Sequence, residues 1–477
     1  MSSAPKNRTG ATLAIVSLAL FMVVLDNLVV TVALPAIRED LGATLQSLEW
    51  TINAYTLAFA VTLIPGAALG DRFGRKRLFL GGLALFTAAS AAAALAPTTG
   101  ALVAARAIQG VGGAVVAPLT LTLLAEAFPA NRRGAALGIW SGISGTGVAL
   151  GPIVGGAVVE GISWHWIFWI NVPIGIALFP IAALLLRESH GESRTLDIPG
   201  FALAATGLFS LVFGLVRGQA EGWTSTPIVV SLVAGVAILV AFVAWERRAA
   251  DPMVPMRLFR KRAFSVTNAV SFFMYFGTFG SIFLLTQILQ YVLGYSPFQA
   301  GLRMLLWTGA TMVVAPIAGV LSERYGARAF MASGLALQAG ALAWFAATTS
   351  TTVTFSEQAI AFVAAGVGMA LVFAPSASAL LSVVSPAQAG QASGTNNAIR
   401  EVGGVFGVAV LSTIFSGSGS LGSVQGFVDG AVPALWVGAA VVALGALTAL
   451  LLPRKQPAEI ADAAPVPAPA PAPVAAG

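Results

Sequence analysis

Gly70-Asp71-Arg72-Phe73-Gly74-Arg75-Lys76, a charged break between two apolar runs, returns 252 positions later as Ser322-Glu323-Arg324-Tyr325-Gly326-Ala327-Arg328. The acid, the base after it, the aromatic ring and the glycine keep their order, which marks an internal duplication. Leu41-Gly42 and Leu293-Gly294 repeat at the same spacing. Farther along, Gly110-Val111-Gly112 with Pro118 is echoed by Gly366-Val367-Gly368 with Pro375, and Pro129-Ala130 by Pro386-Ala387, at offsets of 256 to 257.

Around these repeats, hydrophobicity organises the chain. Of its 477 residues 57% are hydrophobic and 9% charged, against roughly 25% charged in soluble proteins. A water-soluble enzyme is excluded. Runs of about 20 apolar residues, the length that crosses roughly 30 Å of hydrocarbon, predict fourteen helices. They lie at 11–34, 48–69, 78–96, 100–125, 135–160, 165–186, 199–216, 227–246, 264–292, 298–321, 329–348, 357–384, 395–416 and 431–452. The first follows Lys6 and Arg8, is too long for a signal-peptide core and lacks a convincing cleavage site, so it is read as retained.

Six helices fill only about 186 residues, so the 252-residue offset leaves room for two more, the runs at 199–216 and 227–246. The fold class expected is an all-α polytopic membrane protein, two six-helix bundles plus two extra central transmembrane helices. Its units are a cytoplasmic N-terminus (1–10), an N-terminal bundle (11–190), a linker with the extra helices (191–262), a C-terminal bundle (263–453) and a disordered Pro/Ala-rich tail (454–477). Repeat-built bundles place a binding site at the midplane between their halves.

The charges follow the same plan. An even helix number puts both termini on one side. On that side lie twenty of the 25 lysines and arginines; Arg38 and Arg217 lie opposite, and Arg106, Arg303 and Arg400 fall within helices. Cytoplasmic loops carry the excess of Lys and Arg, so both termini are expected in the cytoplasm, at the inner or cytoplasmic membrane. The net charge of +6 then reports topology, and no nucleic-acid partner is expected. There is no cysteine and only His165 and His190, which leaves no metal site, and no catalytic group or cofactor is expected.

Four local patterns resemble one family. The break at Asp71-Arg72-Phe73-Gly74-Arg75-Lys76-Arg77, the run Arg106-Ala107-Ile108-Gln109-Gly110-Val111-Gly112-Gly113, the stretch Gly147-Val148-Ala149-Leu150-Gly151-Pro152-Ile153-Val154-Gly155-Gly156 and the run from Leu25-Asp26-Asn27 to Pro35 are similar in combination to the motifs of the major facilitator superfamily. Within it they resemble the fourteen-helix drug:proton antiporters. Trp50, Tyr55 and the stretch from Trp164-His165-Trp166 to Asn171-Val172-Pro173 add support. The chain departs from the pattern at Ala67, where glycine is usual, at Leu28 and Thr31, where threonine and asparagine are, and at His165.

The resemblance implies a conformational latch at the repeated break. Asp71 suits the positive amino-terminal end of a facing helix, Arg72 and Arg75 suit carboxylates such as Glu126, and Glu323 with Arg324 forms the second copy. Gly147, Gly151, Gly155 and Gly156 strip side chains from one helix face, and Pro152 deletes a backbone donor. Together they suit a tight interface between halves, and in the family this motif goes with export.

Asp26 and Arg106 are charges inside apolar spans, costly there and functional by default. Asp26 lies about 12 Å and Arg106 about 9 Å from the outer ends of their helices at 1.5 Å per residue, so the two can meet. Burial favours a neutral carboxyl and a nearby cation favours the ionised one; Asp26 is therefore a candidate for exchanging a proton with substrate, a structural ion pair being the other reading. Glu401 is the second candidate, facing the cavity while the adjacent Arg400 snorkels. Phe272, Phe276, Phe279 and Phe283 form one stripe, suited to flat substrates or to lipid and helix contact.

The function expected is a proton-coupled antiporter exporting lipophilic or cationic drugs or antibiotics by alternating access. Its partners are a small amphipathic substrate, protons and the lipid bilayer, and a monomer is implied by the resemblance. A dedicated exporter of one endogenous metabolite and a proton-coupled importer stay open. A channel would need a continuous polar face, and an intramembrane enzyme paired catalytic groups, which do not occur.

Overall fold

Lipid offers no hydrogen bonds, so each apolar run must satisfy its own backbone as a helix. The computed structural model describes residues 6–453 except 44, 192–196, 251, 253, 255, 386–387 and 421–422, and every predicted span is helical in it. The repeat partner Pro386-Ala387 and the tail lie outside the described residues.

The N-terminal half comprises α1 (Lys6–Leu41), α2 (Leu45–Phe73), α3 (Arg75–Ala94), α4 (Thr99–Ala127), α5 (Ala130–Gly161) and a sixth crossing made of short α6 (Trp166–Trp169) and α7 (Asn171–Leu185). A hairpin of α8 (Ile198–Glu221) and α9 (Thr226–Glu246) follows, then a short α10 (Arg257–Arg260). The C-terminal half has α11 (Arg262–Gln287), prolonged by a π turn at Ile288–Val292, α12 (Pro297–Tyr325), α13 (Ala327–Thr348), α14 (Phe355–Ser382), α15 (Ala389–Ser418) and α16 (Val424–Ala449). Thirteen crossings among the described residues are long and apolar enough to span a membrane. The remaining one, α5, has 32 residues, about 48 Å at the helical rise.

The duplication is visible in the backbone. Gly42 and Gly294 have φ of 59° and 71°, and Gly74 and Gly326 have 107° and 88°, conformations that glycine adopts without the Cβ penalty. Both pairs are 252 residues apart, so the same sharp turns recur in the two halves. Gly82 of α3 meets Gly112 of α4 as Gly334 of α13 meets Gly368 of α14.

Between the halves, α5 packs along α12 and α2 along α15. The hairpin covers the second of these seams: Val212 of α8 packs with Leu57 and Ala60 of α2, and Leu211 and Leu215 with Ala409 of α15. The outer face of α9 exposes Val229, Val233, Val236 and Val240, as expected of a lipid-facing helix.

Candidate functional site

Asp26 of α1 and Arg106 of α4 meet inside the N-terminal half. The Arg106 Nη1 lies 2.5 Å from Asp26 Oδ2, with both side chains fully buried. A buried ion pair is tolerated only when its remaining hydrogen-bonding capacity is used. Asp26 Oδ1 accepts from Gln109 Nε2 at 2.8 Å and from Asn171 Nδ2 at 2.7 Å. Gln109 sits one turn beyond Arg106, accepts from its Nη1 at 2.6 Å and donates to Ser90 at 2.6 Å. Arg106 Nε donates to the Thr51 carbonyl at 3.3 Å, and the guanidinium lies 4.2 Å over the Tyr55 ring. Only its Nη2 lacks a hydrogen bond. Three donors from two helices, Arg106 and Gln109 of α4 and Asn171 of α7, thus hold the Asp26 carboxylate.

Glu401 of α15 is placed differently. It is only half-buried, unlike the sealed Asp26. Arg400 does not snorkel. It is 1% exposed, donates to Ser376 Oγ at 3.0 Å and lies 4.7 Å over the Phe373 ring. The aromatic stripe of α11 is largely helix contact: Phe272 and Phe276 pack on Gly403 and Gly407 of α15, while Phe283 is exposed.

The repeated break forms two junctions between halves. Asp71 lies against the first turn of α15, in reach of the Gln391 backbone N–H, and a Cβ on Gly390 would collide with its carboxylate. Arg75 Nε binds Asp71 at 2.7 Å, and its Nη1 binds Glu126. Glu323 ends α12 and accepts the Gly134 N–H of α5 at 2.5 Å. Among the described residues, Arg72 and Arg324 take no part in ion pairs. Each lies over its neighbouring ring, Phe73 at 5.1 Å and Tyr325 at 5.5 Å, because the residue after the acid points about 100° away from it on the helix. Ala67 does not loosen the seam, since Gly394 of α15 faces its methyl.

The α5 glycines divide between two partners. Gly147, Gly151 and Gly155 face Val24, Leu28 and Val29 of α1, inside the N-terminal half. The close approach to α12 is made instead by Gly134, Gly138 and Gly142, opposite Gly319, Pro316 and Met312, with Gly156 near Phe298. Pro152 lies within α5. The expected contact between halves is therefore moved toward the start of the helix.

The family model of the Major Facilitator Superfamily matches residues 16–265 and 267–475. The chain belongs to the major facilitator superfamily. It is 39% identical over 426 residues to the cephamycin export protein CmcT of Amycolatopsis lactamdurans, covering 88% of this chain and 87% of that one. It is 35% identical to the tetracenomycin C resistance and export protein of Streptomyces glaucescens, covering 87% and 77%, and 36% identical to the multidrug resistance protein Stp of Mycobacterium tuberculosis (strain CDC 1551 / Oshkosh), covering 86% and 76%. The fold matches the human organic anion transporter MFSD10 (TETRAN) with a TM-score of 0.67 at 15% identity, covering 94% of this chain and 100% of that one. It matches the proton:xylose symporter XylE bound to 6-bromo-6-deoxy-D-glucose equally, with a TM-score of 0.67 at 15% identity over 93% and 95%. The protein is a multi-pass membrane transporter of this superfamily.

Several residues of this transporter's site carry no charge and were not singled out from sequence as parts of it: Gln109, Asn171, Ser90 and the ring of Tyr55. The three-residue spacing from Arg106 was the available signal for Gln109. Glu188 was also missed; it accepts the Lys76 and Arg77 backbone N–H groups at 2.9 and 3.1 Å, capping α3 beside the Asp71 junction.

Proposed function

We propose that the protein exports amphipathic drugs or antibiotics, lipophilic or cationic, across the cytoplasmic membrane in exchange for protons. The observation that carries this reading is the sealed Asp26–Arg106 pair, a carboxylate that can neutralise only by releasing its guanidinium partner. Protonation of Asp26 from outside frees Arg106 and Gln109 to rearrange and lets cargo leave; loss of the proton to the cytoplasm restores the pair. Glu401 serves as the second acid facing the cleft. The bundles at 11–190 and 263–453 rock about the site as a monomer, the hairpin within 191–262 stays at their seam, and Asp71 with Glu323 latches the basic, cytoplasmic face.

The relatives named for antibiotic export support the outward direction. Those named for a single compound, cephamycin or tetracenomycin C, favour a second reading, a dedicated exporter of one metabolite. Everted vesicles carrying a pH-sensitive dye and challenged with a compound panel test both. Wild type is expected to release protons on addition of cargo and Asp26→Asn to release none at equal protein level. Coupled transport by Asp26→Asn would overturn the assignment, and response to one compound alone selects the dedicated exporter.

A further inference from the structure

The joint between the hairpin and the C-terminal half carries a charge concentration that the transport cycle does not use. Six of the chain's cations, Arg247, Arg248, Arg257, Arg260, Lys261 and Arg262, fall within sixteen residues, and all six are exposed. The segment is folded back on itself: Glu246 accepts the Val254 backbone N–H at 2.9 Å, Val254 packs with Ala204 and Phe242, and Leu258 is buried in the core. The cations before and after this closure therefore share one rim. Among the described residues, the side chains of Arg247, Arg248, Arg260 and Arg262 have no ion pair or hydrogen bond within the protein. Lys261 is held at the Val383 carbonyl by a 2.8 Å bond.

The exposed apolar face of α9 ends at the same rim. The exposed valines of α9 run down to Trp245, 41% exposed, whose indole N–H is fixed on Asp197 at 2.8 Å. Phe259, 37% exposed, stands edge-on to Phe264 with ring centres 5.0 Å apart. Tryptophan favours headgroup depth, an exposed phenylalanine beside it offers apolar surface to the acyl chains, and guanidinium groups there pair with phosphate oxygens through two parallel donors.

We propose that this rim is a binding site for anionic phospholipid headgroups, with Arg247, Arg248, Arg260 and Arg262 as its phosphate ligands and Trp245 and Phe259 as its acyl-boundary anchors. Topology alone asks only for positive charge somewhere on this face and gives no reason to gather six cations within sixteen residues at the end of α9. The assignment does not depend on the proton-exchange reading.

The test uses the full chain purified from membranes and exchanged into mixed phosphatidylglycerol–phosphatidylcholine micelles, with retained lipid counted by native mass spectrometry. Wild type should retain phosphatidylglycerol at least fivefold over phosphatidylcholine. Arg247→Gln/Arg248→Gln/Arg260→Gln/Arg262→Gln should lose that preference, and a control with four changes elsewhere on the same face, Arg77→Gln/Arg132→Gln/Arg187→Gln/Arg328→Gln, should keep it. No preference in wild type, or equal loss in the control, would overturn the proposal. Should the fourfold variant fail to fold, Arg248→Gln/Arg260→Gln is expected to show a partial loss, and an unchanged ratio there counts against the site equally.

Discussion

Glu323 at the end of α12 takes the N–H of Gly134, the fifth residue of α5, at 2.5 Å, much as Asp71 at the end of α2 meets the first turn of α15. Asp71 lies at the unsatisfied N–H groups and partial positive charge that open α15, whereas Glu323 reaches just past the first turn of α5, where the same helix dipole is weaker. The two junctions are not equally supported. Asp71 is clamped by Arg75, itself bound to Glu126, whereas the position matching Arg75 is Ala327.

Glu323→Ala is therefore expected to open the basic face. It removes a hydrogen bond between α12 and α5, worth about 0.5–1.5 kcal/mol net at an exposed carboxylate, and each 1.4 kcal/mol shifts a two-state equilibrium about tenfold. Glu323→Gln keeps an acceptor and should shift it less. Because the chain has no cysteine, spin labels at Arg132→Cys and Arg328→Cys can report the separation directly. An unchanged distance distribution in Glu323→Ala would show that the junction does not hold the closed face.

The donors around Asp26 give a graded expectation. Asn171→Ala and Gln109→Ala each remove one hydrogen bond to the carboxylate, worth about 1.5–3 kcal/mol when the acceptor is charged. Arg106→Ala leaves a buried charge unpaired and should cost about 3–5 kcal/mol. Thermal unfolding of the purified variants should rank them in that order, with Arg106→Ala lowest. Asn171→Ala melting like wild type would place its amide outside the network.

The crossings and their six-two-six arrangement were legible because apolar run length and the 252-residue repeat are one-dimensional signals. Asp26 and Arg106 were legible because a charge in an apolar run is conspicuous. Asn171 and Ser90 were not, since neutral polar residues are common in membrane helices and only the packing of α3, α4 and α7 brings them to one carboxylate. Arg400 and Glu401 show the same limit: adjacency guarantees that they diverge, but which of the two is buried depends on how α15 is rotated against α14. The division of the α5 glycines between α1 and α12 was hidden for the same reason, a periodic face having no label for its partner.

Those glycines predict two distinct phenotypes. A Cβ on Gly138 would stand 2.5 Å from the Pro316 Cα of α12, and one on Gly151 2.6 Å from the Leu28 Cβ of α1. Overpacking of this kind typically costs about 1–3 kcal/mol. Gly151→Ala strains packing inside one half and should lower thermal stability with little change in the distance between halves. Gly138→Ala meets backbone across the seam and should displace α12, lengthening the Arg132→Cys to Arg328→Cys separation. Identical distance distributions in the two variants would contradict the division.

The hairpin's place at the α2–α15 seam yields the last expectation. Val212 packs with Leu57 of α2, and Leu211 with Ala409 of α15, so α8 touches both halves at once. If the halves rock against each other, α8 can stay fixed to one of them but not to both. Cross-linking Val212→Cys to Leu57→Cys, or Leu211→Cys to Ala409→Cys, should therefore leave substrate transport largely intact in at least one of the two cases. Closing both cross-links in the same chain should stop it, with activity restored on reduction. Full transport with both bonds closed would mean that the halves do not move apart along this seam.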